Sequence, residues 1–348
     1  MNKAIRRFGI AGQRQPTSIS QDQLIEIERP AERSALPVVI HPVIEGIDLV
    51  AWAGNNLSLI EKNLSSHGAI LFRNFQVKDT VYFEQVIKAV SGDLLEYTYR
   101  STPRSRVGGN IYTSTEYPAD QFIQLHNENS YASSWPMKIW FCCEQPAERG
   151  GETPLADSRR VFQRLDPQLK KHFIRKKVMY VRNHGGALDL SWQTVFQTTD
   201  RAAVEAYCRH VNLDYQWQEG DRLRTKQICQ AVAVHPHTGE DVWFNQAHLF
   251  HPSSLQAEVN EYLQANYSSE DLPRNAHYGD GSPIEESALA EIRAVYQQEA
   301  AIFGWQKKDV LLLDNMLMAH GRTPFSGPRR VLAGLSEPYH TRETTRET

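Results

Sequence analysis

The chain has few cysteines: four in 348 residues, at Cys142, Cys143, Cys208 and Cys229. They form no CxxC pair and no zinc-like spacing, so they are expected as reduced thiols of a cytoplasmic protein. Long apolar runs are also missing. Ile139-Trp140-Phe141-Cys142-Cys143 and Val310 to Leu313 are far too short to span a bilayer. The opening MNKAIRRFGIAGQRQPTS has basic residues but no apolar stretch behind them, so no signal peptide is expected there. Neither charge is in excess. The 38 Lys and Arg against 41 Asp and Glu leave a net charge of -3, and no long block of one sign occurs. That argues against partners that are nucleic acids or membranes. GxGxxG and GxxxxGK[ST] are absent, as is the regular βαβ alternation of a nucleotide-binding sheet.

What is present fits an ordinary globular chain. Hydrophobic residues make up 41% of it, enough for a core without disulfide staples. Residues 1–35 read as a loosely packed polar arm, residues 36–340 as a single domain, and residues 341–348 as a frayed tail. Residues 47–66 are helix-like and end at Gly68, before an Ala69–Phe72 strand. Asp79 is placed to cap a helix carrying Phe83, Val86, Ile87 and Val90, with Gly92 at its end. Strand 138–143 follows, then helical residues 158–174 broken near Pro167, and a helix capped by Asp200.

Ile228 to His235 and Asp241 to Phe244 form a hairpin around the turn 237–240. A helix runs through Leu255, Val259 and Leu263, and another begins after Pro283 and is stopped by Gly304. Strands at Val310–Leu313 and Val331–Leu335 close the chain. Short strands scattered among helices predict a mainly β fold with helical insertions, built as an antiparallel double-sheet barrel.

His126 and Glu128 sit two apart, so on an extended backbone both project to one face. His320 follows an apolar strand that can aim it into a barrel mouth. Two imidazoles and one carboxylate on one face leave open positions, which favours iron(II). Among 13 histidines an HxE pair also arises by chance, so the case needs a second feature. Gly150-Gly151-Glu152-Thr153-Pro154 brings a hydroxyl to a glycine-rich turn, and Arg329 and Arg330 open the 331–335 strand. A guanidinium matches a carboxylate as a two-pronged donor. An acid co-substrate could thus bind the metal at one end and an arginine with Thr153 at the other.

Three stretches carry a resemblance: Asn110 to Pro118, His126-Asn-Glu128-Asn-Ser-Tyr131, and Gly150 to Pro154. Trp243-Phe-Asn-Gln246 and the run Asp314-Asn-Met…His320-Gly-Arg…Gly327-Pro-Arg-Arg330 extend it. Together they resemble the TauD/TfdA superfamily over roughly residues 37 to 340. The subgroup resembled is that of the syringomycin biosynthesis hydroxylase, with clavaminate synthase more distant. The resemblance implies a double-stranded β-helix (jelly-roll, cupin-like) core, with Fe(II), 2-oxoglutarate and dioxygen used to oxidise an unactivated C–H bond. It implies His126, Glu128 and His320 as iron ligands, which are the catalytic centre, and Thr153 as a hydrogen-bond partner of 2-oxoglutarate. Arg329 or Arg330 grips its distal carboxylate, and the choice between them stays open. Related halogenases carry Ala or Gly in place of the carboxylate, so Glu128 favours hydroxylation. Residues 155–310 resemble the subgroup's helical insertion.

Arg104, Thr113, Gln124 and Asn245 flank the motifs and are candidates to line a substrate pocket. The subgroup resemblance implies an amino-acid-like small molecule, free or tethered to a peptidyl carrier protein, in natural-product (antibiotic) biosynthesis. Desaturation and cyclisation start from the same oxidant and are alternative outcomes. Two other classes compete: a zinc hydrolase with a two-His, one-Glu site, and a non-catalytic barrel binding protein. The first lacks an HExxH motif and gives Thr153 and the arginine pair no role, and the presence of all three ligands speaks against the second.

Overall fold

The most apolar runs of the chain become the middle of its largest sheet. In the computed structural model, which describes residues 24–31, 34–97, 104–185 and 190–341, Val310–Asp314 pairs antiparallel with Ala69–Phe72 on one side and Ser134–Gln145 on the other. Arg330–His340 flanks Ser134–Gln145, and Ile111–Thr113 and Arg106–Gly108 complete that edge. At the opposite edge Val38–Pro42 joins Ala69–Phe72 in parallel, and Ile25–Glu28 joins Val38–Pro42 antiparallel. A four-stranded antiparallel sheet stacks against this one. Its order is Ala301–Phe303, Thr153–Asp157, Met318–Arg322, Ile123–His126.

The two sheets enclose a core that includes Ile139, Phe141, Leu155, Leu311, Leu313 and Met318. A double-sheet jelly roll results, as the resemblance implies. The outer face of the large sheet is covered by helices Leu49–Asn55, Leu57–His67 and Thr80–Ser91 through a second core with Trp52, Phe83 and Trp140. Along strand Ser134–Gln145 successive side chains point to opposite faces. Cys142 accordingly belongs to the helix-side core and Cys143 to the inter-sheet core, and all four thiols are free and buried.

Local signals explain most starts. Asp48, Asp79, Asp157, Asp166 and Asp200 each accept backbone N–H groups at a helix N-terminus. Several expectations are corrected. The helix at 47–66 is two helices, because Asn56 leaves the helical region with φ -125° and ψ 30°. The 228–235 strand is interrupted: Arg222–Cys229 belongs to one sheet, and Val232–Val234 starts a separate hairpin with Asp241–Trp243. Gly304 does not stop a helix. Glu286–Glu299 ends earlier, so that Ala301–Phe303 can pair with Thr153–Leu155.

Residues 155–310 are not a purely helical insertion. They carry a four-stranded sheet of Asp214–Gln218, Arg222–Cys229, Val178–His184 and Arg274–Tyr278, and their ends are strands of the core. Ile25–Glu28 is paired and Ile25 is buried, so the 24–28 part of the expected arm is not loose. The rest of that arm up to residue 23, and tail residues 342–348, lie outside the described residues. No helix among the described residues is long and apolar enough to cross a membrane.

Candidate metal centre and anion pocket

Strands Ile123–His126 and Met318–Arg322 run antiparallel with His126 directly opposite His320. Their ring centroids lie 4.6 Å apart. Glu128 arrives just past the strand end, held by Asn315. The Glu128 N–H donates to Asn315 Oδ1 at 2.7 Å, and Asn315 Nδ2 donates back to Glu128 O at 2.9 Å. Asn127 faces away, donating to Ser158 Oγ and Asn315 O. The result is that ligand atoms of His126, Glu128 and His320 all lie within 4.8 Å of one another.

The donor set fits a transition metal. His126 Nδ1 lies 2.8 Å from Gln124 O, which fixes the proton on Nδ1 and leaves the Nε2 lone pair for an ion. His320 Nδ1 is buried without a hydrogen-bond partner. Burial holds both imidazoles below their ordinary value, in the neutral form that ligation needs. Burial opposes the charge on Glu128, but the Arg104 guanidinium and His126 beside it hold its carboxyl below the ordinary range. Its Oε2 accepts from Arg104 at 2.6 Å and its Oε1 from Tyr97 Oη at 3.0 Å.

Beside the two histidines lies a pocket lined by Arg104, Thr153, Arg322 and Arg329, among others. Thr153 Oγ1 accepts from Trp305 Nε1 at 3.0 Å, which leaves its own O–H to donate elsewhere. Arg329 Nε donates to Gly151 O at 3.0 Å, and its guanidinium has no carboxylate partner among the described residues. Burial, helped by the charge of Arg322, pushes Arg329 down to about 10, so it is still a cation at neutral pH. Gly151 has φ +73°, and a Cβ there would meet Arg329 Cδ at 2.9 Å, so glycine makes room for the arginine. Arg330 instead turns outward, half-exposed, to pair with Glu144.

Of the four substrate candidates only Arg104 reaches this pocket. The other three do not line it, and the groups described for them bond the backbone or a local turn. Thr113 Oγ1 accepts from Ser105 N and donates to Glu116. Gln124 contributes its carbonyl to His126. Asn245, fully buried, bonds Ala231 O and Ala247 N. Sequence reasoning missed Arg322, although it stands two after His320 on the same strand and so on the same face. It also missed Tyr97 and Trp305, whose roles arise only from tertiary contact and leave no local signal.

A family model described as "Taurine catabolism dioxygenase TauD, TfdA family" matches residues 33–336. Dapdiamide synthesis protein DdaC of Enterobacter agglomerans is 38% identical over 312 residues, which cover 86% of this chain and 95% of that protein. A clavaminate synthase-like protein of Arabidopsis thaliana is 28% identical over 337 residues, 90% of this chain and 99% of that one. Among solved structures, PvcB of Pseudomonas aeruginosa superposes with a TM-score of 0.54 at 15% identity, covering 93% of this chain and 95% of PvcB. That likeness speaks for the fold.

Proposed function

Because the chain belongs to the TauD/TfdA family of iron(II)- and 2-oxoglutarate-dependent dioxygenases, we propose that it hydroxylates a C–H bond of an amino-acid-like substrate, with His126, Glu128 and His320 as the iron ligands. One observation carries the residue assignment: the three ligand atoms converge within 4.8 Å beside a pocket walled in part by a half-buried arginine, Arg329, without a carboxylate partner among the described residues. A zinc hydrolase or a plain binding barrel leaves that wall without a purpose.

Iron(II) with 2-oxoglutarate and dioxygen supplies the oxidation of an unactivated C–H bond. The residues supply geometry and charge. His126 and His320 offer neutral nitrogens, and Glu128 offers an anion kept ionised by Arg104 and Tyr97. Arg329 takes the distal carboxylate of 2-oxoglutarate as a two-pronged donor, and Thr153 donates its hydroxyl proton to the same group. Ile123, Phe141 and Val331 wall the pocket against water.

The likeness to a dapdiamide synthesis protein supports a place in natural-product biosynthesis; the substrate in this reading is an amino acid or a derivative of one, free or on a peptidyl carrier protein. The test is mass spectrometry of anaerobically loaded enzyme exposed to dioxygen with candidate substrates. We expect succinate and a product heavier by one oxygen, both lost in His126→Ala. A product lighter by two hydrogens would replace hydroxylation with desaturation or ring closure, and normal succinate formation by His126→Ala would refute the ligand set.

A further inference from the structure

The stretch Trp243 to Gln246 carries part of the family resemblance, yet none of its residues lines the pocket beside the histidines. Trp243 and Phe244 fill separate cores. Asn245 folds the turn that follows, bonding Ala231 O and Ala247 N. Gln246 reaches out of the region 155–310, and its Nε2 donates to Asn127 O at 2.7 Å. Two residues on, His248 Nε2 lies 3.0 Å from Leu125 O. The two carbonyls bound in this way stand on either side of His126. Strand Ile123–His126 is the edge of the small sheet, paired with Met318–Arg322 on one side. No strand among the described residues covers its other side, and Gln246 and His248 supply the donors that a neighbouring strand would. Both side chains are buried, where a carbonyl without a donor is costly. Each is itself anchored. The Gln246 N–H donates to Tyr180 Oη at 2.8 Å, and the His248 carbonyl accepts from Arg293.

We propose that Gln246 and His248 are positioning residues for the metal, which cap the open edge of strand Ile123–His126 and fix the backbone on both sides of His126. The proposal rests on the reading of His126 as an iron ligand. His126 is then held at three points: its Nδ1 by Gln124 O, and its flanking carbonyls by Gln246 and His248. Asn315 does the same for Glu128. Groups that orient a ligand without touching the ion commonly set metal affinity by about 10–100-fold. An apolar side chain of similar size at 246 or 248 fills the space but offers no donor. The strand end is then free to shift, and the ligand atoms lose their convergence.

The test is titration of the metal-free protein with Co(II), a stand-in for iron(II), followed by the visible absorption of the bound ion. Urea midpoints of the metal-free variants are measured beside it. His248→Leu should weaken Co(II) binding by about 10-fold and alter the absorption band. Gln246→Met, whose carbonyl partner keeps the Ser130 hydroxyl at 3.0 Å, should lose about 3-fold, and the double variant about 30-fold or more. His248→Gln keeps a donor for Leu125 O and should restore binding to within about 2-fold of the wild type. A merely structural role would lower the urea midpoints and leave the affinity and the band of the folded variants unchanged, and that result overturns the proposal. So does a His248→Gln as weak as His248→Leu, because the donor would then not be what matters. Gln246→Met reads the other end of the clamp and decides the matter if His248→Leu does not fold. His126→Ala separates the two readings. Wild-type Co(II) binding there means that the ligand assignment has failed. Loss of binding there, with wild-type binding in His248→Leu and Gln246→Met, means that the proposal on Gln246 and His248 alone has failed.

Discussion

Arg329 and Arg330 are adjacent in the chain and opposite in fate. The first is half-buried in the pocket without a carboxylate partner among the described residues, and the second pairs with Glu144 at the surface. Removing a buried charge that grips a desolvated carboxylate costs about 2–5 kcal/mol, whereas an exposed pair is worth about 1 kcal/mol or less. Arg329→Ala should therefore weaken 2-oxoglutarate binding by about 2–5 kcal/mol, and Arg330→Ala should leave it nearly unchanged. Titration of 2-oxoglutarate against the visible absorption of the anaerobic Fe(II) protein measures both, and equal losses would deny Arg329 its role. Sequence alone left the pair unresolved for a physical reason. Alternation along a strand sends neighbours to opposite faces, but the register slips between Arg330 and Val331, so counting from the strand does not say which faces inward. The convergence of His126, Glu128 and His320 was legible because their identities and spacing pointed to one face. Thr113, Gln124 and Asn245 were guessed from proximity in sequence, and proximity does not set direction.

The metal centre depends on one pair of strands closing tightly, Ile123–His126 on Met318–Arg322. Gly321 is the residue that permits it, since a Cβ there would lie 2.5 Å from the Ile123 carbonyl oxygen, which is backbone and cannot swing aside. Gly321→Ala should force the strands apart beside His320, destabilise the protein by about 1–3 kcal/mol and weaken Fe(II) binding. Gly304→Ala, where an added Cβ meets nothing within 4 Å, is the control. Urea midpoints and an Fe(II) titration read the two effects. A neutral Gly321→Ala would mean that this contact does not set the spacing of the ligands. At this scale the sequence was legible wherever a signal is local. The caps at Asp79 and Asp200, the helix break near Pro167, and the apolar strands 69–72 and 310–313 lie where the residues place them. Pairing partners were not legible, because hydrogen bonding between strands is blind to sequence distance. That is why Ala301–Phe303 was missed as the edge of the small sheet, and why Gly304 was taken for a helix stop.

The region between residues 155 and 310 packs around a core that it shares with Leu125 and Ala319 of the metal strands, and His248 adds a polar contact to it. Its Nε2–H donates to Leu125 O, next to His126, while its carbonyl accepts from Arg293 and its ring packs on Tyr296. Nδ1 is buried with no acceptor facing it, so a second proton has no place to go. Burial, with the charge of Arg293 nearby, pushes the group from its ordinary 6.5 down to about 3. Above pH 6.5 the imidazole is neutral whether the chain is folded or not, and it contributes no pH dependence. Between 6.5 and about 3 the unfolded chain binds a proton that the folded one refuses, so stability falls with pH. The slope is about 1.4 kcal/mol per pH unit, or about 2 kcal/mol between pH 6.5 and about pH 5. His251 and His277, also held down by burial, add to it with the same sign. Glu128, whose carboxyl is held below its ordinary 4.5, begins to contribute only as pH falls below 4.5, outside the pH 7 to pH 5 range of the test. Urea midpoints from pH 7 to pH 5 should therefore decline in the wild type. His248→Gln, whose amide can still donate to Leu125 O, should decline less steeply by about one histidine's share. A variant with the wild-type slope would show that this buried ring is not what makes the junction acid-sensitive.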